Sequence, residues 1–372
     1  MRILLVNAHG ADPAYGGAEH YVAELASGLA ARGHEVSVLS AFPQRSDSGL
    51  PTYVLHDSDW RDDRLRRLRN HAGDAAALRW PGVRRLLERA RPDLVATSNL
   101  SGIGTGLWAS AGRLGIPVVH YTHDYQLLCP RTSLVRPDGS PCSPSPLLCG
   151  ARTRSLGRHT DAVARVLGGS EHLLRAHAAL FDGIERQVVR LPLAPLPGGP
   201  PAPPRRLATL GYLGALTEIK GLRLLLAAAP ALAAAGVTVR IAGDGPLREE
   251  VRTAPAVVYE GFVSGEEKTA FLAACDVGVV PSLWQEPSGP PYVVCDWLAA
   301  GRPVLVTAYG GLAEATALGG VATFDATAAG LVTAVAELDH AALTAAVPRV
   351  DDDRDIRRWV DEHETAFTAA PA

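Results

Sequence analysis

Residues 281–304 read PSLWQEPSGPPYVVCDWLAAGRPV. The stretch grows out of Asp276–Ser282 (DVGVVPS), an apolar run suited to a strand buried on both faces, and leads into a helix-like run, VVCDWLAAG. A strand-to-helix junction sets polar groups and helix N–H groups at the carboxyl edge of a sheet. Open α/β sheets take ligands there, and helix N-termini favour phosphate. The two acids of the stretch are Glu286 and Asp296. By itself the stretch fits a ligand site and a plain loop with surface acids equally well; the rest of the chain favours the site.

Around it the pattern repeats. LATLGYLGAL is a strand ending in Gly211 and Gly214, and LTEIKGLRLLLAAAPALAAAG is a loop and long helix with Lys220 just before the helix. VTVRIAGDGP and AVVYEGFV are further strands, GEEKTAFLAACD is a helix, and PVLVTAYGG is a last strand with a glycine pair at Gly310 and Gly311. Upstream, seven prolines from Pro192 to Pro204 mark a semi-rigid hinge between domains.

The first half starts afresh with RILLVNAHG, a strand. The loop GADPAYGGAEH and a helix over 18–32 follow, then the strand HEVSVLSAF. Gly16 and Gly17 open that helix; lacking Cβ, they let backbone approach a phosphate, although a glycine pair is more often a simple turn. Strand IPVVHYTHDY carries His120 and His123 near its carboxyl end, each equally readable as a satisfied core histidine. Cys129, Cys142 and Cys149 lie in a Pro-rich segment without a C-x-x-C pair, which favours a lid with half-buried thiols over zinc. Ser170 suits a helix cap, with Glu171 and His172 behind it. Residues 43–91 loosen into Arg- and Asp-rich sequence, a solvated helical surface. Arg354 to Ala366 reads as an amphipathic helix with Ile356, Trp359 and Val360 apolar. The expected fold is α/β, with two Rossmann-like parallel-sheet domains facing a cleft: 1–194 and 195–354.

Composition narrows the function. The chain has 372 residues, 47% hydrophobic and 20% charged, with a net charge of -3, which gives no electrostatic case for nucleic acid. No apolar run is long enough to span a bilayer, no basic amphipathic face marks a membrane surface, and MRILLVNAHG reads as a buried strand rather than a signal peptide. Five cysteines, an odd number, argue against a full disulfide framework, so a cytoplasmic protein with reduced thiols is expected, monomeric or homodimeric.

GGAEHYVAELASGLAARGHEV, THDY at Thr122, YLGALTEIKGLRLLL, IAGDGP, YEGFV, PSLWQEP and DWLAAGRPVLVT, taken in this order, resemble the retaining glycosyltransferases of family four, which have the GT-B fold. The resemblance spans nearly the whole chain. It implies transfer of a sugar from a nucleoside-diphosphate donor with retained configuration and no metal or cofactor. It places acceptor binding in the first domain and donor binding in the second, with the last helix, 355–372, crossing back to the first. It also implies roles. Gly16 and Gly17 approach donor phosphate and acceptor. His123 faces the transferred sugar, with His120, Asp124 and Tyr125 on the acceptor side. Lys220 neutralises the leaving diphosphate, supported by Gly214 and Arg223. Phe262 and Val263 border the base, and Glu286, Ser288 and Gly289 lie by the sugar. Asp296 takes the ribose hydroxyls.

Three departures bear on the donor. The acids are spaced Glu286-x9-Asp296 where the family has seven residues and a second Glu; Ala215 stands at a family arginine; and VVRLPLAP lacks the family's Asn-Gly turn. The expected donor is a UDP-sugar carrying a hexose. The expected acceptor is a hydroxyl of a soluble small molecule, a secondary-metabolite aglycone or aminocyclitol of antibiotic biosynthesis. The alternatives are synthesis of a cell-surface polysaccharide or glycolipid, a nucleotide-sugar epimerase or hydrolase, and a non-catalytic sugar-nucleotide binder.

Overall fold

The computed structural model describes residues 1–12, 15–45, 48–57, 73, 81–136, 140, 142, 147–196, 199, 201–204, 206–350 and 354–370. The Arg-rich stretch from Arg61 to Arg69 and part of the proline hinge lie outside these. The chain divides into two compact units: residues 1–134, 142–189 and 357–372 form the first, 135–141 and 190–356 the second.

The first unit holds a seven-stranded sheet in the order β3-β2-β1-β4-β5-β6-β7, every pair parallel. Its strands are β1 Arg2–Asn7, β2 Glu35–Ser40, β3 Thr52–Val54, β4 Leu94–Thr97, β5 Val118–Thr122, β6 Val163–Gly168 and β7 Arg186–Val188. Ile3 to Val6 are buried to the last residue, as a strand covered by helices on both faces requires. The Gly17–Ala31 helix covers one face through Tyr21, Val22, Leu25, Ala26 and Leu29, spaced for a helical stripe. The C-terminal helix, Arg354–Thr368, belongs to this unit through its 357–368 portion. Trp359, Val360, His363 and Phe367 face inward, and Val360 lies so close to Gly28 that a Cβ there would sit 2.4 Å from Cγ2. Arg32 clamps the outer edge by donating to Asp361 Oδ1 at 2.6 Å and to the Arg357 carbonyl at 2.7 Å.

The second unit holds six parallel strands in the order β10-β9-β8-β11-β12-β13. They are β8 Thr209–Leu213, β9 Thr238–Ala242, β10 Val257–Gly261, β11 Val277–Val280, β12 Val304–Thr307 and β13 Val321–Phe324. In both sheets the chain winds outward one way and then restarts beside the first strand. The winding reverses between β1 and β4 in one unit and between β8 and β11 in the other, which is where doubly wound sheets leave room for ligands.

Candidate functional site

In the second unit the switch point is built by close backbone contacts. Gly211 of β8 and Gly278 of β11 are register partners, and a Cβ on either would fall 2.5 Å from the Trp297 indole. Two bare strand positions thus seat Trp297, wholly buried, flat against the sheet and fix the Tyr292–Ala299 helix above it. After β8 the chain turns through Gly221, at φ 74°, where a Cβ would lie 1.7 Å from the Pro281 carbonyl oxygen. Leu283 N–H donates to the Ile219 carbonyl at 2.9 Å, so the loops after β8 and β11 are docked backbone to backbone.

That docking brings Lys220 to Glu286. Lys220 Nζ donates to Glu286 Oε1 at 2.6 Å, and Ser282 Oγ donates to the same oxygen at 2.8 Å. Glu286 is 3% exposed, while the lysine side chain is 30% exposed and lies 4.7 Å from the Trp284 ring centre. Among the described residues no hydrogen bond reaches Glu286 Oε2, which is left open to a ligand hydroxyl. Burial and the Glu286 charge push the nearby Tyr212 hydroxyl well above its usual range, so it stays protonated and donates to the Ala215 carbonyl at 2.7 Å. The acid's backbone is pinned too: Gly311 N–H donates to the Glu286 carbonyl at 2.6 Å, and Gly289 packs against Gly311, whose own Cβ would collide with Ser288. A cation partly in solvent beside a buried acid with one free oxygen can hold an anionic group next to a polyol.

Ser282, Trp284 and the role of the Gly310–Gly311 turn escaped the sequence reading, which saw a strand end at Ser282, a glycine pair at 310–311 and nothing particular at Trp284. Arg190 was missed as well; it donates to the Gly289 carbonyl at 3.1 Å and reaches Glu314 at 3.4 Å. Gly214 closes β8 by donating to the Ala242 carbonyl, with its own carbonyl 1.9 Å from where a Cβ of Gly243 would be. Asp296, on the Tyr292–Ala299 helix, pairs with Lys268 at 2.9 Å. Phe262, just past β10, is 71% exposed, with Val263 beside it less so. Arg223, expected on the phosphate side, pairs at the surface with Glu218 at 3.0 Å and Glu250 at 3.2 Å.

In the first unit the polar groups gather at the β1/β4 switch. Asn7 Nδ2 donates to Glu19 Oε1, and Ser98 Oγ and Asn99 N–H donate to Asn7 Oδ1. Asp124 accepts from Gln126 N–H at 2.7 Å and from Asn99 Nδ2 at 3.3 Å; burial raises its carboxyl to about 6, with Glu19 adding to the rise. Gly16 precedes and Gly17 opens the helix that carries Glu19. His123 is ringed by aromatics, 4.5 Å from Tyr21 and 4.5 Å from Tyr121, and burial lowers its pKa to about 3. Its Nε2 is buried without a partner among the described residues.

Two residues expected on the acceptor side lie in the core. His120 is 2% exposed, its Nδ1 2.9 Å from Thr97 Oγ1 and its ring packed on Trp108 and Phe181. Tyr125 is wholly buried and stacked on His177. His120 lies on β5, all of whose residues are buried, and Tyr125 follows three residues past the strand's end, so each is held in the core by its own packing partners. Cys129 is buried, Cys142 and Cys149 are half-buried, and all are free thiols. No helix among the described residues is long and apolar enough to cross a membrane.

Comparison with known proteins agrees with this layout. The profile of Glycosyltransferase Family 4 matches residues 15–164 and that of Glycosyl transferases group 1 matches 208–352, one on each unit. The chain is a GT4-type glycosyltransferase. It is 28% identical to a glycogen synthase of Mycobacterium tuberculosis over 373 aligned positions, covering 90% of this chain and 85% of that one. A 2-deoxystreptamine glucosyltransferase of Streptomyces kanamyceticus is 33% identical over 149 residues, 38% of this chain and 35% of that one. Among solved structures, the Anabaena protein HepE in complex with UDP superposes with a TM-score of 0.65 at 17% identity, covering 98% of this chain and all of the other. The GT-B fold is therefore shared, and this glycosyltransferase has the two parallel-sheet units that the fold requires.

Proposed function

We propose that this glycosyltransferase moves a hexose from a UDP-sugar to a hydroxyl of a soluble acceptor of aminocyclitol type, with retention. The observation that carries the reading is the Lys220–Glu286 pair at the β8/β11 switch point. As the sugar–phosphate bond breaks, negative charge builds on the diphosphate and positive charge on the sugar. Lys220 stabilises the first and the Glu286 carboxylate the second, both preorganised by the docked loops. The uncommitted Glu286 oxygen takes a sugar hydroxyl, Asp296 a ribose hydroxyl, Phe262 and Val263 the edge of the base, and Ser288 and Gly289 the sugar through their backbone. Gly16 and Gly17 approach the phosphate side, and His123 offers a ring nitrogen to the sugar. No step calls for a metal, because Lys220 and backbone N–H groups supply the positive charge.

The donor assignment draws support from the HepE complex, which holds UDP, and the acceptor class from the 2-deoxystreptamine glucosyltransferase. The test is a thermal-shift panel of UDP-, GDP- and dTDP-glucose, followed by incubation with UDP-glucose with and without 2-deoxystreptamine. The reading expects the largest shift with UDP-glucose and UDP release that depends on the acceptor, with the product's anomeric configuration matching the donor's. Epimerised donor in the absence of acceptor would move the assignment to an epimerase, and no shift with any donor would overturn it.

A further inference from the structure

His123 lies at the end of a chain of contacts that begins on the C-terminal helix. His363 Nδ1 lies 2.7 Å from the Trp359 carbonyl, which can only accept, so Nδ1 carries the proton. That leaves His363 Nε2 as an acceptor, and the Tyr21 hydroxyl donates to it at 2.6 Å across 342 positions of sequence. The Tyr21 ring stands edge-on to His123 at 78° and 4.5 Å. Tyr121 closes the other side, 4.5 Å from His123 and 4.4 Å from Tyr21, its own hydroxyl fixed on the Val189 carbonyl at 2.9 Å. Trp359 packs edge-on against Tyr21 from the same helix. The His123 ring is therefore oriented by its aromatic neighbours, and Tyr21 among them is held by Tyr121, by Trp359 and by its one hydrogen bond, to His363.

We infer that His363 is a positioning residue: by accepting the Tyr21 hydroxyl it fixes the ring that aims His123. The inference rests on the proposed contact of His123 with the sugar. It has a specific chemical requirement, an acceptor at the His363 Nε2 position. Glutamine can supply one through its side-chain carbonyl, whereas phenylalanine fills the space without one. The Tyr21 hydroxyl is buried, so without its acceptor it is driven to seek another partner, and the ring shifts to reach it.

The test labels histidine rings with 15N in the wild type and in His363→Gln, His363→Phe, Tyr21→Phe and His123→Asn, the last to identify the His123 signals. The expected result is a displaced His123 signal in His363→Phe and Tyr21→Phe and a nearly native one in His363→Gln. With UDP-glucose and 2-deoxystreptamine, His363→Phe lowers kcat by roughly tenfold, as a small misplacement does, and leaves the KM for UDP-glucose unchanged. His363→Gln restores most of the rate. Unmoved His123 signals in both His363→Phe and Tyr21→Phe, with only a lower melting temperature, would overturn the inference. Full transfer by His123→Asn would instead remove the proposed role of His123, and the ring signals would still decide whether His363 aims it.

Discussion

Glu286 holds two donors on one oxygen and none on the other, and this asymmetry predicts how its variants behave. Glu286→Gln keeps the shape and one acceptor but loses the charge that balances the sugar cation. Steady-state kinetics should show transfer down by roughly a hundredfold or more, with donor KM little altered. Lys220→Ala leaves a buried carboxylate supported by Ser282 alone. Urea unfolding at pH 7 should show a loss of about 1–3 kcal/mol, and the KM for UDP-glucose should rise. At Asp124 the proton is bound more tightly by the native chain than by the unfolded one, its carboxyl standing at about 6 rather than 3.8. Its stabilising contribution is complete below 3.8 and is lost as pH rises through about 6. The stability of Asp124→Asn relative to the wild type should thus grow between those pH values and level off above them, as a pH series of unfolding curves would show. Lys220, Glu286 and Asp296 were legible as residue types at a strand-to-helix junction. The burial of His120 and Tyr125 was not, because the partners that cover them, Trp108 and Phe181 for the one and His177 for the other, come from segments whose proximity the sequence does not show.

Elements meet at this site through glycine, and the contacts are unforgiving. Gly221→Ala would put a methyl into the Pro281 carbonyl at a left-handed backbone position. It should cost about 3 kcal/mol or more and, by pushing the loops after β8 and β11 apart, should abolish the thermal shift with UDP-glucose. Gly236→Ala, also at positive φ but with open space around it, is the matched control: it should cost about 1 kcal/mol and leave the shift intact. Most strands and helices were plain from the alternation of short apolar runs and helical stripes, but β3, inside a stretch read as helical surface, β7, and β13, beyond what read as the last strand, were not. What that alternation hid was which glycines are steric necessities. Gly211 and Gly278 look like weak points in two strands until Trp297 is placed over them, a contact between segments far apart in the chain. The C-terminal helix showed its apolar stripe in the sequence, but the polar His363 within that stripe gave no sign of its partner, Tyr21.

At the scale of the molecule the two units differ in what they bury. Eleven of the twelve histidines fall in the segments of the first unit. Four of these are kept neutral by burial: His120 and His123 titrate near 3, and His177 and His363 near 4, against 6.5 for an ordinary imidazole. Their contribution is complete above 6.5 and is lost as pH falls toward those values, since the unfolded chain takes up the protons first. Acid should therefore loosen the first unit before the second, and hydrogen exchange at pH 7 and pH 5, corrected for intrinsic rates, should place the loss of protection in 1–134 and 142–189. The second unit, with a single histidine, carries the proposed donor site. The most direct test of that assignment is calorimetric titration of UDP-glucose into the wild type and Lys220→Ala at pH 7. One molecule bound by the wild type, with affinity falling at least tenfold in the variant, is the predicted result. No binding by the wild type, or equal affinity in the two proteins, would contradict it.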